Sequence, residues 1–310
     1  MRPPEATNRV VSRLLQFILN RQANSGAFHS SVHFDSRCTD DWNGFTTALI
    51  LRALGSVPLG PAWEIARGRA LEFLETCEAR DRPGFFGFWP QSQWPRWAPH
   101  LPEDADDTAA ITLELLRYGR INLRTARRTV RTALLPYRLA AKTKHSPTWM
   151  RPGAFLTWLR NGLPVNLIDC CVNTNVIALM AKVGLTRHPA YTEASSMVQA
   201  GIHWAARSWT RLGSLLPYYP EPSELLLAVS HAVSCGAQSM RPCLRELLCF
   251  PDREPPCGLG AMHQQPLFST PDRRLIWTSH VLVAARRLQS VLGPRGNFRD
   301  ASSHRAGRGL

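Results

Sequence analysis

Glu103-Asp104-Ala105-Asp106-Asp107-Thr108-Ala109 places three aspartates within four positions, at the predicted start of a helix. Asp104 and Asp107 are three residues apart, so they share one face of that helix, and Asp106 lies beside them. Three carboxyl groups this close cannot all ionise at low cost, so at least one is expected to keep its proton at neutral pH. A protonated carboxyl beside ionised neighbours suits a reaction that begins with proton donation.

Helix capping offers a simpler explanation for part of this cluster. Aspartate and glutamate are favoured in the first turn of any helix, where they cap backbone N–H groups and oppose the helix dipole. Capping accounts for one aspartate and the dipole for a second. A third aspartate and Glu103 add repulsion that exceeds a dipole gain of about 0.3–1 kcal/mol. The full cluster therefore indicates a chemical role.

The string from Asp104 to Ala109 resembles the DxDD-Thr-Ala motif of class II terpene cyclases of the squalene–hopene cyclase type. Segments 172–176 and 214–220 also resemble parts of the small single-domain bacterial members, which merosterolic acid synthase typifies. The large members carry two barrels and repeated QW motifs, and the best remnant of a QW motif here is Phe73-Leu74 with 84–89. The resemblance covers most of the chain up to about residue 292.

The resemblance implies an enzyme, a class II terpene cyclase that acts as an intramolecular isomerase or lyase. Asp106 would protonate the terminal isoprene of a linear polyprenyl substrate, while Asp104 and Asp107 tune and anchor it. The cation would then close successive rings to a polycyclic terpenoid and end by proton loss or water capture. The head group of the substrate is undetermined. The substrate carries no head group, a diphosphate, or an aromatic group as in a meroterpenoid. No cofactor is expected, except Mg²⁺ if the head is a diphosphate.

A carbocation must be kept from water in an apolar pocket with aromatic faces. Aromatic residues recur near the predicted helix starts, although many of them are equally explained as core. The candidates for substrate binding are Trp42, Phe45, Trp89, Asn173, Tyr219 and Trp277. Asn173 and Asn175 begin one apolar helix, which one of them caps while the other bonds the acid or the substrate.

The group that orients the acid is open as well. The large cyclases use a histidine, and no motif places one here. His231 and His280 are the two candidates, and each is equally explained as a hydrogen-bonded core histidine.

Helical periodicity recurs along the chain. Amphipathic segments such as 7–22 and 63–77 alternate with evenly apolar ones such as 46–54 and 109–116, and the alternation continues through predicted helices that include 241–248 and 275–292. Stacked pairs of this kind predict an all-α fold, a single α/α barrel (toroid) of about five to six helix pairs.

The chain has 310 residues and a formal net charge of +14. Arginines and lysines are dense over 124–144 and in a predicted disordered tail, 293–310, that follows a cyclase domain over 1–292. The spacing within 124–144 is typical of the solvated face of an outer helix. Contact with a diphosphate or peripheral contact with a membrane is the alternative. No zinc-finger, RNP or homeodomain pattern indicates nucleic-acid binding.

The eight cysteines are scattered and form no CxxC pair, and the N-terminus has no apolar signal core. These features predict a cytoplasmic protein with reduced thiols. The oligomeric state is left open. Two rival functions remain. One is a non-catalytic toroid that binds an isoprenoid or lipid. The other is a zinc-dependent, prenyltransferase-like toroid with Asp169, Cys170 and His280 as ligands, although adjacent Asp169 and Cys170 lack that family's Asp-x-Cys spacing.

Overall fold

Helices form most of the structure, a computed structural model that describes residues 5–55, 57–98, 100–163, 165–250 and 266–292. The helices of these ranges are α1 (Glu5–Leu19), α2 (Gly44–Leu54), α3 (Pro61–Thr76), α4 (Ala105–Arg117), α5 (Leu123–Thr129), α6 (Cys170–Lys182), α7 (Pro189–Ala205), α8 (Trp209–Gly213), α9 (Ser223–Ser234), α10 (Arg241–Leu248) and α11 (His280–Leu292). A π-helical turn, Val130–Leu134, follows α5. None of these helices is both long enough and apolar enough to cross a membrane.

Four short strands also form an antiparallel sheet. They are β1 (His29–Phe34), β2 (Arg37–Trp42), β3 (Pro266–Ser269) and β4 (Ile276–Thr278), in the spatial order β2-β1-β4-β3. Val32 of β1 pairs with Thr39 on one side and with Trp277 on the other. The prediction of an all-α barrel of five to six helix pairs is therefore wrong, because the fold mixes helices with a sheet. β1 is polar, and its pairing with β4 joins distant segments, so helical periodicity could not reveal it.

Five helices, called the inner helices below, pack side by side in the order α11, α2, α4, α6 and α9. Arg286 of α11 and Glu224 of α9 form an ion pair at 2.6 Å, which links the two ends of this row. Every residue of α2 except Arg52 is buried, and α4 and α6 are nearly as enclosed. A helix that is apolar on all sides must be surrounded by protein. Accordingly α1, α3, α7 and α10 cover α11, α2, α6 and α9 from outside.

A repeated tripeptide, Gly-x-Phe, ties loops to three inner helices. The repeats are Gly26-Ala27-Phe28, Gly84-Phe85-Phe86 and Gly153-Ala154-Phe155. Each phenylalanine N–H donates to a side chain near a helix start: to Thr47 and Thr108 at 3.1 Å and to Asn173 at 2.8 Å. At Gly26 φ is +95°, and a Cβ would lie 2.1 Å from the carbonyl oxygen of Arg69, so only glycine fits. The repeat fixes the loops that lie over the inner-helix starts.

The basic segment 124–144 makes structural contacts. Arg127 Nε donates to the carbonyl of Val183 at 2.7 Å, and Arg138 pairs with Glu193 at 2.8 Å. These contacts tie the segment to the end of α6 and to α7. Substrate or membrane contact by the other basic residues stays a prediction, and the tail 293–310 lies outside the described residues.

Candidate active site

A cavity that is partly open to solvent lies where the starts of the inner helices meet the sheet. Seven of its sixteen lining residues are aromatic, and three carboxyl groups lie close together in its wall. The aromatic residues are Phe45, Phe88, Trp158, Tyr218, Tyr219, Phe268 and Trp277, and the carboxyl groups are Asp104, Asp106 and Asp107. Such a cavity can enclose an apolar molecule and expose it to a proton donor.

The start of α4 is fixed at the cavity wall by its cap and by a neighbouring loop. Asp104 is the N-cap, and its carboxylate accepts the N–H of Asp107 at 2.6 Å. The loop before α6 pairs with this start through Ala105 N–H to the Thr157 carbonyl at 2.8 Å. Asp106 and Asp107 therefore occupy the first turn of a helix whose entry is held on both sides.

Asp106 receives a hydrogen bond on each carboxyl oxygen. Asn175 Nδ2 donates to Oδ1 at 2.6 Å, and the hydroxyl of Tyr219 donates to Oδ2. The side chain is only 6 % exposed. Burial raises the pKa of Asp106, and the hydrogen bonds from Tyr219 and Asn175 oppose that rise. The acid is held in one orientation by two groups that come from α6 and from the approach to α9.

The pKa values of Asp104 and Asp107 are raised as well. Burial, and then the charge of Asp106, raise the pKa of Asp104 to about 7. Burial, and then the charges of Asp104 and Asp106, raise the pKa of Asp107 well above its usual value. Asp107 Oδ2 is buried and has no hydrogen-bond partner among the described residues, which favours the protonated form. The three carboxyl groups therefore titrate as one coupled cluster.

Asp41 holds the aromatic wall from behind. Its Oδ1 accepts from Trp89 Nε1 at 2.8 Å, and its Oδ2 accepts from Trp277 Nε1 at 2.9 Å and from Asn43 Nδ2 at 2.7 Å. Burial raises the pKa of Asp41, and these donors oppose the rise. The carboxyl joins the end of β2, the loop before α4 and strand β4, so it sets the position of the Trp277 ring at the cavity.

Asp169 joins α6 to the tyrosines of the cavity. It is the N-cap of α6, where Oδ1 accepts the N–H of Cys171 at 2.7 Å, and Oδ2 accepts the N–H of Tyr218 at 3.0 Å. Burial raises its pKa to about 7. Because the next residue is Tyr219, this contact also determines where the hydroxyl that meets Asp106 is placed.

Replacing Asp169 with asparagine should change how stability depends on pH. A carboxyl whose folded pKa is about 7, against 3.8 when unfolded, makes the protein less stable as pH rises from about 4 to 7. Asp169→Asn removes that titration and keeps a capping side chain. The difference in free energy of unfolding, variant minus wild type, should therefore be about 2 kcal/mol larger at pH 8 than at pH 5.

The measurement is urea unfolding of both proteins at the two pH values. Asp35→Asn, at an exposed turn residue with φ 51°, is the matched control, because it removes one carboxyl group at a place where asparagine fits the backbone. A stability difference between Asp169→Asn and wild type that is equal at pH 5 and pH 8 would show that Asp169 does not titrate in this window.

Three of the six residues expected to bind substrate line the cavity, and three do not. Phe45, Tyr219 and Trp277 line the cavity. The side chain of Trp42 is 40 % exposed and packs edge-on against His29, with ring centroids 5.8 Å apart, outside the cavity lining. Trp89 is buried behind the residues that line the cavity, and its ring centroid lies 4.6 Å from that of Phe88.

The two asparagines of α6 divide their roles. Asn173 accepts the N–H of Phe155 at 2.8 Å and donates to its carbonyl at 3.0 Å, so it anchors a loop and is absent from the cavity lining. Asn175 bonds Asp106. Residues two apart on a helix face nearly opposite directions, so the two side chains cannot share one site.

Arg52 is the residue that sequence reasoning missed. It is the only charged residue in α2, and its Nη1 donates to Asn175 Oδ1 at 3.1 Å. A single cation in an evenly apolar helix is a signal that could have been followed, because buried charges need partners.

Neither candidate histidine orients the acid. His231 Nε2 lies 3.5 Å from Arg117, and burial lowers the pKa of its imidazole well below the usual value. His280 begins α11. The described residues hold no group of three or more His, Cys, Asp or Glu side chains placed to bind a metal ion, and Asp169 of the zinc alternative caps α6 instead.

No protein-family model and no curated protein matches this chain. Among solved structures, a variant of the type II terpene cyclase MstE from Scytonema in complex with merosterolic acid A, its product, is similar. The two sequences are 14 % identical over 91 % of this chain and 78 % of that one, with a TM-score of 0.47. Another MstE variant, in complex with its substrate geranylgeranyl dihydroxybenzoate, is 13 % identical over 92 % and 96 %, with a TM-score of 0.46.

A crystal structure of a protein from Actinoplanes is also similar, with 16 % identity over 92 % of this chain and 98 % of that one and a TM-score of 0.44. All of these matches are distant, and the function is therefore inferred from the site itself.

Proposed function

We propose that this protein is a class II terpene cyclase in which Asp106 protonates the terminal isoprene of a linear polyprenyl chain. The observation that carries the proposal is the position of Asp106: buried, at the wall of an aromatic cavity, with both carboxyl oxygens held by donors. The resemblance of residues 104–109 to the DxDD motif assigns this role to the same residue. Ring closures follow, and the cation ends by proton loss or water capture.

The two partners of Asp106 indicate which oxygen carries the proton. Asn175 Nδ2 can only donate, so Oδ1 must accept and cannot hold the proton on that side. The hydroxyl of Tyr219 can accept from a protonated Oδ2 and donate to an ionised one. When the proton leaves for the alkene, this hydroxyl can turn its O–H toward the new carboxylate. Charge that develops in the transition state is then stabilised more than the ground state, as catalysis requires.

Asp104 and Asp107 set the charge around the acid. Burial raises the pKa of Asp104 to about 7 and the pKa of Asp107 well above its usual value, and this higher proton affinity limits the repulsion that a newly ionised Asp106 would meet. Asp104 also caps the helix that carries Asp106. These residues tune and anchor the acid without donating the proton.

The aromatic wall suits a cation that moves along a folded chain. Phe268 contacts Phe45 and Phe88 edge-on at 5.4 Å and stacks on Trp277 at 5.5 Å, measured between ring centroids. Aromatic faces attract cations and offer no nucleophile to trap them. A chain bound here would meet Asp106 at one end and aromatic rings along its length.

The test is incubation of the protein with a panel of polyprenyl compounds, followed by mass spectrometry. The panel holds geranylgeranyl dihydroxybenzoate, squalene, and farnesyl and geranylgeranyl diphosphate with Mg²⁺, so it covers the three head groups left open. A product with the mass of its substrate, or of its hydrate, supports the proposal. Tight binding without any product from the panel would support the rival, a non-catalytic protein that binds isoprenoids or lipids.

Activity should fall on the alkaline side. The reaction needs the proton on the cluster at rest, and the raised pKa values, with Asp104 at about 7, keep it there up to neutral pH. The rate should therefore be maximal below the apparent pKa of the cluster, and it should fall as the pH rises through that pKa. A pH profile of kcat from 5 to 9 measures this limb. Activity that increased from pH 6 to pH 9 would contradict proton donation.

A further inference from the structure

Arg52 lies directly behind the amide that meets the acid. Its Nη1 donates to Asn175 Oδ1 at 3.1 Å, while Asn175 Nδ2 donates to Asp106 at 2.6 Å. Arg52 Nε and Nη2 are buried and have no hydrogen-bond partner in the part of the chain that the structure describes. Among the described residues, the guanidinium therefore makes a single side-chain hydrogen bond, and that bond leads to Asp106.

This chain of hydrogen bonds has a direction. A guanidinium only donates, so the amide group of Asn175 must turn its oxygen toward Arg52 and its NH₂ toward Asp106. A flipped amide would bring NH₂ against the guanidinium and oxygen against the carboxyl, which is unfavourable at both ends. Without Arg52 the amide could flip and accept a proton held on Oδ1, and the acid would have two competing protonated forms.

We infer that Arg52 is a positioning residue for proton transfer: through Asn175 it keeps the proton of Asp106 on Oδ2, and its charge stabilises the carboxylate that remains. The inference rests on the proposed function of Asp106 as the acid. Arg52 does not touch the reacting atoms, so its effect must appear in the proton affinity and rate of the acid and not in substrate binding.

The titratable side chains around Asp106 and Arg52 support a role for Arg52 as the cation that stabilises the Asp106 carboxylate. Titratable side chains whose charges act on this pair are Asp104, Asp107 and Glu114 of the α4 segment, Asp169 and Cys171 at the start of α6, Tyr219 before α9, and His231 and Cys235 of the α9 segment. Arg52 is the cation of the described residues whose charge lowers the pKa of Asp106. Burial lowers the pKa of His231 well below its usual value, so it is neutral and cannot replace Arg52.

Arg52→Met tests the inference. The alkaline limb of the kcat profile should move up by about one pH unit, a tenfold weaker acid. The plateau kcat should fall about tenfold or more, with KM unchanged. Arg52→Lys keeps the charge and should hold the limb at its wild-type position. Arg286→Met is the matched control, because it removes a partly buried arginine from another inner helix, α11, together with its ion pair to Glu224.

A substrate-free readout separates this inference from the proposed function. Infrared difference spectroscopy follows the C=O band of the protonated Asp106 carboxyl, assigned by its loss in Asp106→Asn. Arg52→Met should raise the midpoint of that band's titration, and Arg286→Met should not. If wild-type protein never cyclises a substrate but the midpoint shifts, Arg52 controls the proton of Asp106 as inferred, and it is the proposed function that fails.

If wild-type protein cyclises and neither the limb nor the midpoint moves in Arg52→Met, the inference is overturned. Arg52→Met leaves the buried Glu114 carboxyl, whose oxygens have no hydrogen-bond partner among the described residues, with Arg117 alone at 3.5 Å. If that variant does not fold, Arg52→Met/Glu114→Gln removes both charges. The same shifts are expected of it, and their absence overturns the inference equally.

Discussion

Asp106→Asn should lower cyclisation about 10²–10⁴-fold, the usual contribution of a general acid, and should leave the fold intact. Asparagine has the same size, and its oxygen can still accept from Asn175. Its amide has no transferable proton and meets the Tyr219 hydroxyl as a donor only. The measurement is single-turnover conversion of the best substrate of the panel, with circular dichroism as the check on folding.

Three further variants make this result specific. Asp104→Asn and Asp107→Asn should each lose less activity, because these residues tune the acid and do not donate the proton. Asp35→Asn alters an exposed turn and should not change the rate. Near-normal turnover by Asp106→Asn would remove Asp106 from the mechanism altogether.

Asp41→Ala should destabilise the protein by about 3–6 kcal/mol. The carboxyl accepts from Trp89, Trp277 and Asn43, all of them buried. Alanine leaves both indole N–H groups without an acceptor, while Asn43 Nδ2 loses its bond of 2.7 Å and keeps Ser30 Oγ at 3.0 Å. Each buried donor that loses its partner costs about 1–3 kcal/mol. A loss of this size is a large part of the 5–15 kcal/mol that holds an ordinary domain together.

Asp41→Asn is the matched control, because it keeps the size of the side chain and one acceptor oxygen. It should lose about half as much stability as alanine. Urea unfolding followed by tryptophan fluorescence measures the stability of both variants. A change below about 1 kcal/mol in Asp41→Ala would show that the carboxyl is not what holds the aromatic wall.

The helices could be read from the sequence because their signal is local. Residues 241–248 were expected to be helical, and α10 has those bounds. Residues 46–54 were expected as a helix, and α2 begins two residues earlier because Asn43 caps it by accepting from Thr46 N–H at 2.7 Å. Apolar spacing and capping residues act within one or two turns, so periodicity is sufficient to find such elements.

The sheet could not be read in the same way. Residues 275–292 were expected to form one helix, yet 276–278 form β4 and α11 begins at His280. Ile276, Trp277 and Thr278 favour strands, but a strand this short is stable only because β1 and β3 lie beside it. β1 lies more than 240 residues earlier in the chain, so no local window contains the partner.

The same distinction between local and distant sequence signals applies to the candidate site. The three aspartates were found because they lie within four positions. The partners of Asp106 lie 69 residues away, at Asn175, and 113 residues away, at Tyr219. Only the packing of α2, α4, α6 and α9 brings these groups together, so Arg52 and the choice between two asparagines required the fold.

The most direct test of Asp106 as a proton donor is to run the reaction in D₂O. Each cyclised molecule should then carry one deuterium at the carbon that was the terminal alkene, in a C–D bond that survives transfer back to H₂O. Mass spectrometry and ²H NMR of the product of the best substrate measure the label and its position. One deuterium at that carbon, formed by wild type and not by Asp106→Asn, is the expected result. Cyclised product without carbon-bound deuterium would contradict the mechanism.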